Sequence, residues 1–103
     1  MKKVYIAISV PVLITACYSK TFAPTNEQID AMQQKVPGIT LENAKAGYKL
    51  YSEKCAGCHQ LYHPDKNTIA QWNTILLKMF PKAKVSNEEQ QKLIRDYLHA
   101  LSK

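Results

Sequence analysis

Two cysteines and a histidine stand together at Cys55-Ala56-Gly57-Cys58-His59, and their spacing is the C-x-x-C-H pattern by which a polypeptide takes up haem c. The chemistry explains the spacing. Two thiols must reach two vinyl groups on adjacent pyrroles, and a two-residue gap on a tight turn sets the sulfurs that far apart. The histidine that follows is swung beneath the ring, where its Nε2 can bind iron. Small Ala56 and Gly57 let the turn lie against the porphyrin edge. Other chemistries use a C-x-x-C pair. A thioredoxin-like redox site needs a preceding strand in a βαβ setting, and zinc wants four ligands, whereas no second cysteine pair or paired histidines follow here.

The segment ahead of the motif bears on the compartment in which it would be loaded. Met1-Lys2-Lys3 is a short positive region, and Val4 to Ile14 is an apolar run. As a helix that run would reach only ~16 Å, against a hydrocarbon core of roughly 30 Å, so it reads as the core of a signal peptide and not as a membrane span. Ile14-Thr15-Ala16-Cys17 follows and resembles the lipobox of bacterial lipoproteins. That resemblance implies cleavage before Cys17, whose thiol would carry diacylglycerol. Residues 1–16 are then a signal peptide, 17–24 a lipidated tether without periodicity, and 25–103 the folded domain. An ordinary signal peptide with a chance cysteine is the plainer alternative. With three cysteines in the chain, lipid on Cys17 and haem on Cys55 and Cys58 leave none for a disulfide, and both uses require export.

Length and composition fit a single globular domain: 103 residues, 46% hydrophobic and 21% charged. Cleavage before Cys17 would remove Lys2 and Lys3, leaving twelve basic against eight acidic residues and a formal charge of +4. That modest excess suits acidic protein partners or anionic headgroups. No interleaved basic and aromatic pattern points to nucleic acid.

Glycine is scarce and no strand-like alternation occurs, so the expected fold is all-α, with about four helices. Thr25-Asn26-Glu27-Gln28 has the form of a capping box, with Ile29, Met32 and Val36 on one face until Pro37-Gly38. Thr40 opens a second helix in which Ala44, Tyr48, Tyr51 and Cys55 form one stripe running into the motif. Gly47 costs roughly 1 kcal/mol inside a helix, and close approach by another helix is a plausible return. A third helix spans about 68–80, stopped by Pro81, with Ile69, Trp72, Ile75 or Leu76, and Met79 facing inward. The last is expected to start at Ser86, with Glu89 completing a capping box and an apolar face of Leu93, Ile94, Tyr97, Leu98 and Leu101.

Residues 40–102 resemble small monohaem members of the cytochrome c family. The likeness rests on Gly47 and Tyr51 before the motif, Cys55 to His59 within it, and Tyr97 in the closing helix. More narrowly, Leu61, Tyr62 and Pro64, then Trp72 and Met79 with six residues between them, resemble a bacterial subgroup. The resemblance implies a bundle around one covalent haem c, in which the helix before the motif crosses the C-terminal helix at Gly47. It also implies His59 and Met79 as axial ligands. Core filling is the blander use of Met79, and the distal loop is short, only nineteen residues lying between His59 and Met79. His63 is too near His59 to reach the opposite face of the ring, His99 lies off its helix's apolar stripe and reads as solvated, and Met32 reads as packing. Trp72 and Tyr62 could donate to haem propionates, and Pro64 could supply the turn that steers His59. Lys54, Lys66, Lys78, Lys82 and Lys84 could ring the haem edge for an acidic redox partner.

The function implied is that of a single-electron carrier, not an enzyme, lipid-anchored on the periplasmic side or cell surface. Tyr18, where some lipoproteins have a retaining Asp, leans the location to the outer membrane. The competing readings are a haem protein with an open distal site used in sensing or catalysis, and a haem subunit of a larger oxidoreductase.

Overall fold

Three threonines and an asparagine set the helix starts. In a computed structural model of the chain, which describes residues 22–55 and 61–103, Gln28 Oε1 accepts from the Thr25 N–H at 3.0 Å ahead of a 3-10 turn, Asn26–Gln28, that leads into α1 (Ile29–Lys35). Thr40 Oγ1 accepts from Asn43 N–H at 3.1 Å and starts α2 (Leu41–Cys55). Thr68 and Gln71 exchange two bonds at the start of α3 (Ile69–Lys82), after a second 3-10 turn at Pro64–Lys66. Asn87 Oδ1 accepts from Gln90 N–H at 3.0 Å and opens α4 (Glu88–Ala100). Among the described residues there are four α-helices and no strand, as the sequence predicts. The signal segment, Cys17, the tether up to residue 21, and Cys58 and His59 lie outside the described residues.

The bundle is organised by the crossing of α2 on α4. A Cβ placed on Gly47 would stand 2.6 Å from Tyr97 Cβ and would run into the Leu93 carbonyl, so only glycine admits the two backbones at this distance. This is the close approach expected from the sequence, at the position and against the helix expected. Around it Tyr48 and Tyr51 pack on Tyr97, with ring centroids 5.8 and 5.9 Å away. Ile94, Tyr97 and Leu98 are fully buried. A second small core joins Met32 of α1 to Ile39, Ala44 and Ala100, which makes Met32 a packing residue.

Two helix boundaries differ from the sequence reading, and residues 22–24, read as tether, pack on the domain. Pro24 is buried, and the Phe22 carbonyl accepts from Tyr97 O–H at 2.6 Å. The last helix is capped by Asn87, one residue beyond Ser86, because an asparagine side chain caps at least as well as a serine. Finally, α3 does not stop at Phe80 but carries Pro81 inside its last turn and ends at Lys82. A left-handed residue, Lys84 with φ 57°, then lets Val85 N–H reach the Phe80 carbonyl at 2.9 Å and Lys84 N–H reach Pro81 O at 3.1 Å. These are the paired bonds of a Schellman ending, closed by contact between buried Val85 and Phe80. The ending is strong enough to absorb the missing proline donor one turn earlier.

Candidate haem-binding site

Cys55 is the last residue of α2 and is 5% exposed, part of the core that contains Tyr51 and Trp72. The first cysteine of the motif is therefore carried on the helix pinned at Gly47 and turned toward the interior. Tyr51 and Trp72 stand edge to face, centroids 6.2 Å apart. Their polar tips both turn to the stretch that follows the motif: Tyr51 O–H donates to the Tyr62 carbonyl at 2.7 Å, and Trp72 Nε1–H to the Pro64 carbonyl at 2.7 Å. Burial holds both the Tyr51 and Tyr97 hydroxyls well above the usual phenol range, with each neighbouring tyrosine adding to the shift of Tyr97. Both phenols thus stay protonated as donors.

The described core around Cys55 is largely aromatic and aliphatic. An uncoordinated thiolate is disfavoured when buried in apolar surroundings. A thioether carries no charge and requires no partner, so an aromatic-walled site suits it. One turn before Cys55, Ser52 Oγ is buried without a hydrogen-bond partner among the described residues, a polar group lacking its complement beside the attachment position. The described side chains sharing a core with Cys55, among them Tyr51 and Trp72, are apolar and aromatic, as the wall of a covalently held macrocycle would have to be.

On α3 the buried stripe is Trp72, Leu76 and Phe80, facing the core at a spacing of four. Ile69, Ile75 and Met79, expected on the inner face, are only half-buried and occupy its edge. The reason is angular: a stripe led by the large Trp72 and Phe80 rotates residues 75 and 79 to its flank. Met79 is held in place by its own backbone, its carbonyl accepting from Ala83 N–H at 2.8 Å within the Schellman ending.

The other candidates sort clearly. His63 Nδ1 lies 2.9 Å from Asp65 Oδ1 without hydrogen-bond geometry, and its ring meets Phe22 at 4.2 Å. His99, read as solvated, is half-buried and bridges α4 to α3 through Asn73 Oδ1 at 2.7 Å. Burial lowers its pKa, and nearby Arg95 adds to this while Asp96 opposes. The indole N–H of Trp72 is committed to the backbone in this structure, so the expected bond to a propionate has no donor from that residue. Tyr62 is 53% exposed. Lys54, Lys66, Lys78, Lys82 and Lys84 are all exposed. A cleft of about 420 Å³ between α3 and α4, lined by Leu77, Phe80 and Arg95 among others, includes none of the candidate site residues.

Sequence reasoning named Pro64, Trp72 and Tyr51 one by one but missed the clamp they form. The only signal was that an aromatic body buried in a helix stripe must find a partner for its polar tip. Comparison of the chain with protein-family models, with curated proteins and with solved structures finds no match.

Proposed function

We propose that this chain is a one-electron carrier holding a single haem c through Cys55 and Cys58, with His59 and Met79 as its axial ligands and Cys17 as its lipid anchor. The observation that carries the reading is the placement of Cys55: the first motif cysteine closes the helix locked by Gly47 and shares a core with Tyr51 and Trp72, surroundings that suit a neutral thioether. When bound, haem c supplies a one-electron iron couple whose potential is raised by methionine ligation and an apolar surround.

The chain's own residues do the rest. The Tyr51 and Trp72 donors fix residues 62–64 just past His59, restricting how far the proximal side can shift between oxidation states. The Pro64 carbonyl keeps one lone pair after accepting from Trp72, enough to orient a ligating histidine. Trp72, Tyr51 and Leu76 exclude water from the interior side. Met79 is offered from the edge of α3 on a helix whose end is tied down. Exposed lysines at 54, 78, 82 and 84 suit an acidic docking face on a redox partner. The lipidated chain belongs to the periplasmic side or surface of a bacterial membrane. No helix among the described residues is long and apolar enough to cross one.

Visible spectra of the oxidised and reduced protein, with and without carbon monoxide, test the carrier reading. Six-coordinate low-spin iron in both states and no carbon monoxide adduct are expected. High-spin iron that binds carbon monoxide readily would move the function to sensing or catalysis. Cys17→Ser should release the protein from membranes with its spectrum unchanged.

A further inference from the structure

We infer that the end of the bundle bearing Phe22, the Pro64–Lys66 turn and Lys103 rests on the phospholipid surface, so that residues 62–66 lie on the membrane side. The inference builds on lipid attachment at Cys17. Its first support is that Phe22 is fixed to the domain at two points: its carbonyl accepts from Tyr97 O–H at 2.6 Å, and its ring packs on His63 at 4.2 Å. The second is chain length. Only residues 18–21 lie between Cys17 and Phe22, so even a fully extended tether holds Phe22 within about 18 Å of the lipidated residue. A domain bolted at Phe22 cannot turn that end away from the bilayer.

The fold identifies what shares this end. Phe22, Ala23, Gln28, His63, Asp65 and Leu101 line a cleft of about 260 Å³, which places the C-terminal end of α4 and the second 3-10 turn beside the tether. Lys103 N–H donates to the Asn67 carbonyl at 2.9 Å, which brings Lys103 beside Lys66, and both side chains are exposed. The Lys35 ammonium joins them by donating to the Ser102 carbonyl. Ammonium groups so placed suit lipid phosphates. The acids of this end are Asp65 beside His63, Glu27 and Asp30 around the start of α1, and Glu42 in the first turn of α2. The opposite end lies a helix length away: α4 runs thirteen residues, about 20 Å, to the turn bearing Lys82 and Lys84. Adjoining tyrosines tie both segments to one core, Tyr97 holding Phe22 and Tyr51 holding Tyr62. Tyr62 and His63 therefore lie near the membrane when Phe22 is near it.

Lysine footprinting tests this on natural residues. The full lipidated, haem-loaded protein is placed in vesicles of phosphatidylethanolamine and phosphatidylglycerol and acetylated with a membrane-impermeant reagent, with rates read lysine by lysine by mass spectrometry. The soluble Cys17→Ser protein is the reference. Lys66 and Lys103 should be slowed several-fold on vesicles while Lys82 and Lys84 keep their rates. Inserting a flexible Gly/Ser stretch between Thr21 and Phe22 should restore Lys66 and Lys103 toward the soluble rates. Uniform slowing, or stronger slowing at Lys82 and Lys84, overturns the orientation while leaving the anchor standing. A wild-type protein that washes off the vesicles overturns the anchoring reading, and the orientation with it.

Discussion

The α2–α4 crossing and the Met79 edge of α3 are finished to different degrees. At the crossing, backbones meet over Gly47, Ile94, Tyr97 and Leu98 are sealed from water, and the Tyr97 hydroxyl has its acceptor. At the α3 edge, Ile75 and Met79 are only half-buried, and on α2 the Ser52 hydroxyl is buried without a partner among the described residues. One region is specified by polypeptide packing alone. The other has the look of a surface cut for something else, and in the proposed function that is the haem. Stability and redox chemistry should therefore respond to different residues.

The strongest way to break the comparison is at the crossing. Gly47→Ala puts a methyl onto the Leu93 carbonyl and Tyr97 Cβ. The gain in helix propensity, about 1 kcal/mol, is outweighed by overpacking, and a net loss of about 2–3 kcal/mol is expected in denaturant unfolding. A variant as stable as the wild type would mean that the helices do not meet here.

The next pair sets the regions side by side. Leu76→Ala, in the buried stripe, should cost about 2–4 kcal/mol and leave the iron spectrum unchanged. Met79→Ala should cost less as packing, about 1 kcal/mol, yet abolish the sulfur-to-iron charge-transfer band, lower the potential and admit carbon monoxide. Equal spectral effects from the two would dissolve the distinction.

A pH titration of stability addresses the crossing's phenols. Both are held above their ordinary value of about 10 by burial. Above that pH the unfolded chain releases protons that the folded chain retains, so stability is intact below about pH 10 and falls as pH rises further. The double variant Tyr51→Phe, Tyr97→Phe should flatten that alkaline decline while costing about 1 kcal/mol per lost hydrogen bond at neutral pH. The smallest change is a gain. Lys84→Gly relieves the left-handed backbone at φ 57° and should stabilise by about 0.5–1 kcal/mol.

Much of this architecture was legible in the sequence for a physical reason: its signals are local. Thr40 and Thr68 cap the helices they precede, and a glycine in a helix stripe announced a close crossing. What escaped depends on partners distant in sequence. Nothing near Phe22 says that its carbonyl will meet Tyr97, and nothing near Pro64 says that Trp72 will clamp it. Pro81 misled because a proline usually ends a helix, whereas here the Schellman bonds beyond it hold the last turn. The half-burial of Met79 was hidden for a related reason: periodicity fixes which residues share a face, but the bulk of Trp72 and Phe80 decides which way the face turns.

The central claim is covalent haem on Cys55 and Cys58, and intact mass spectrometry after acid-acetone extraction tests it directly. In a host with a haem c maturation system, the polypeptide should retain the mass of one haem, with Cys55→Ala and Cys58→Ala each losing a thioether link. A polypeptide that emerges without haem, with both thiols available to alkylation, would contradict the account.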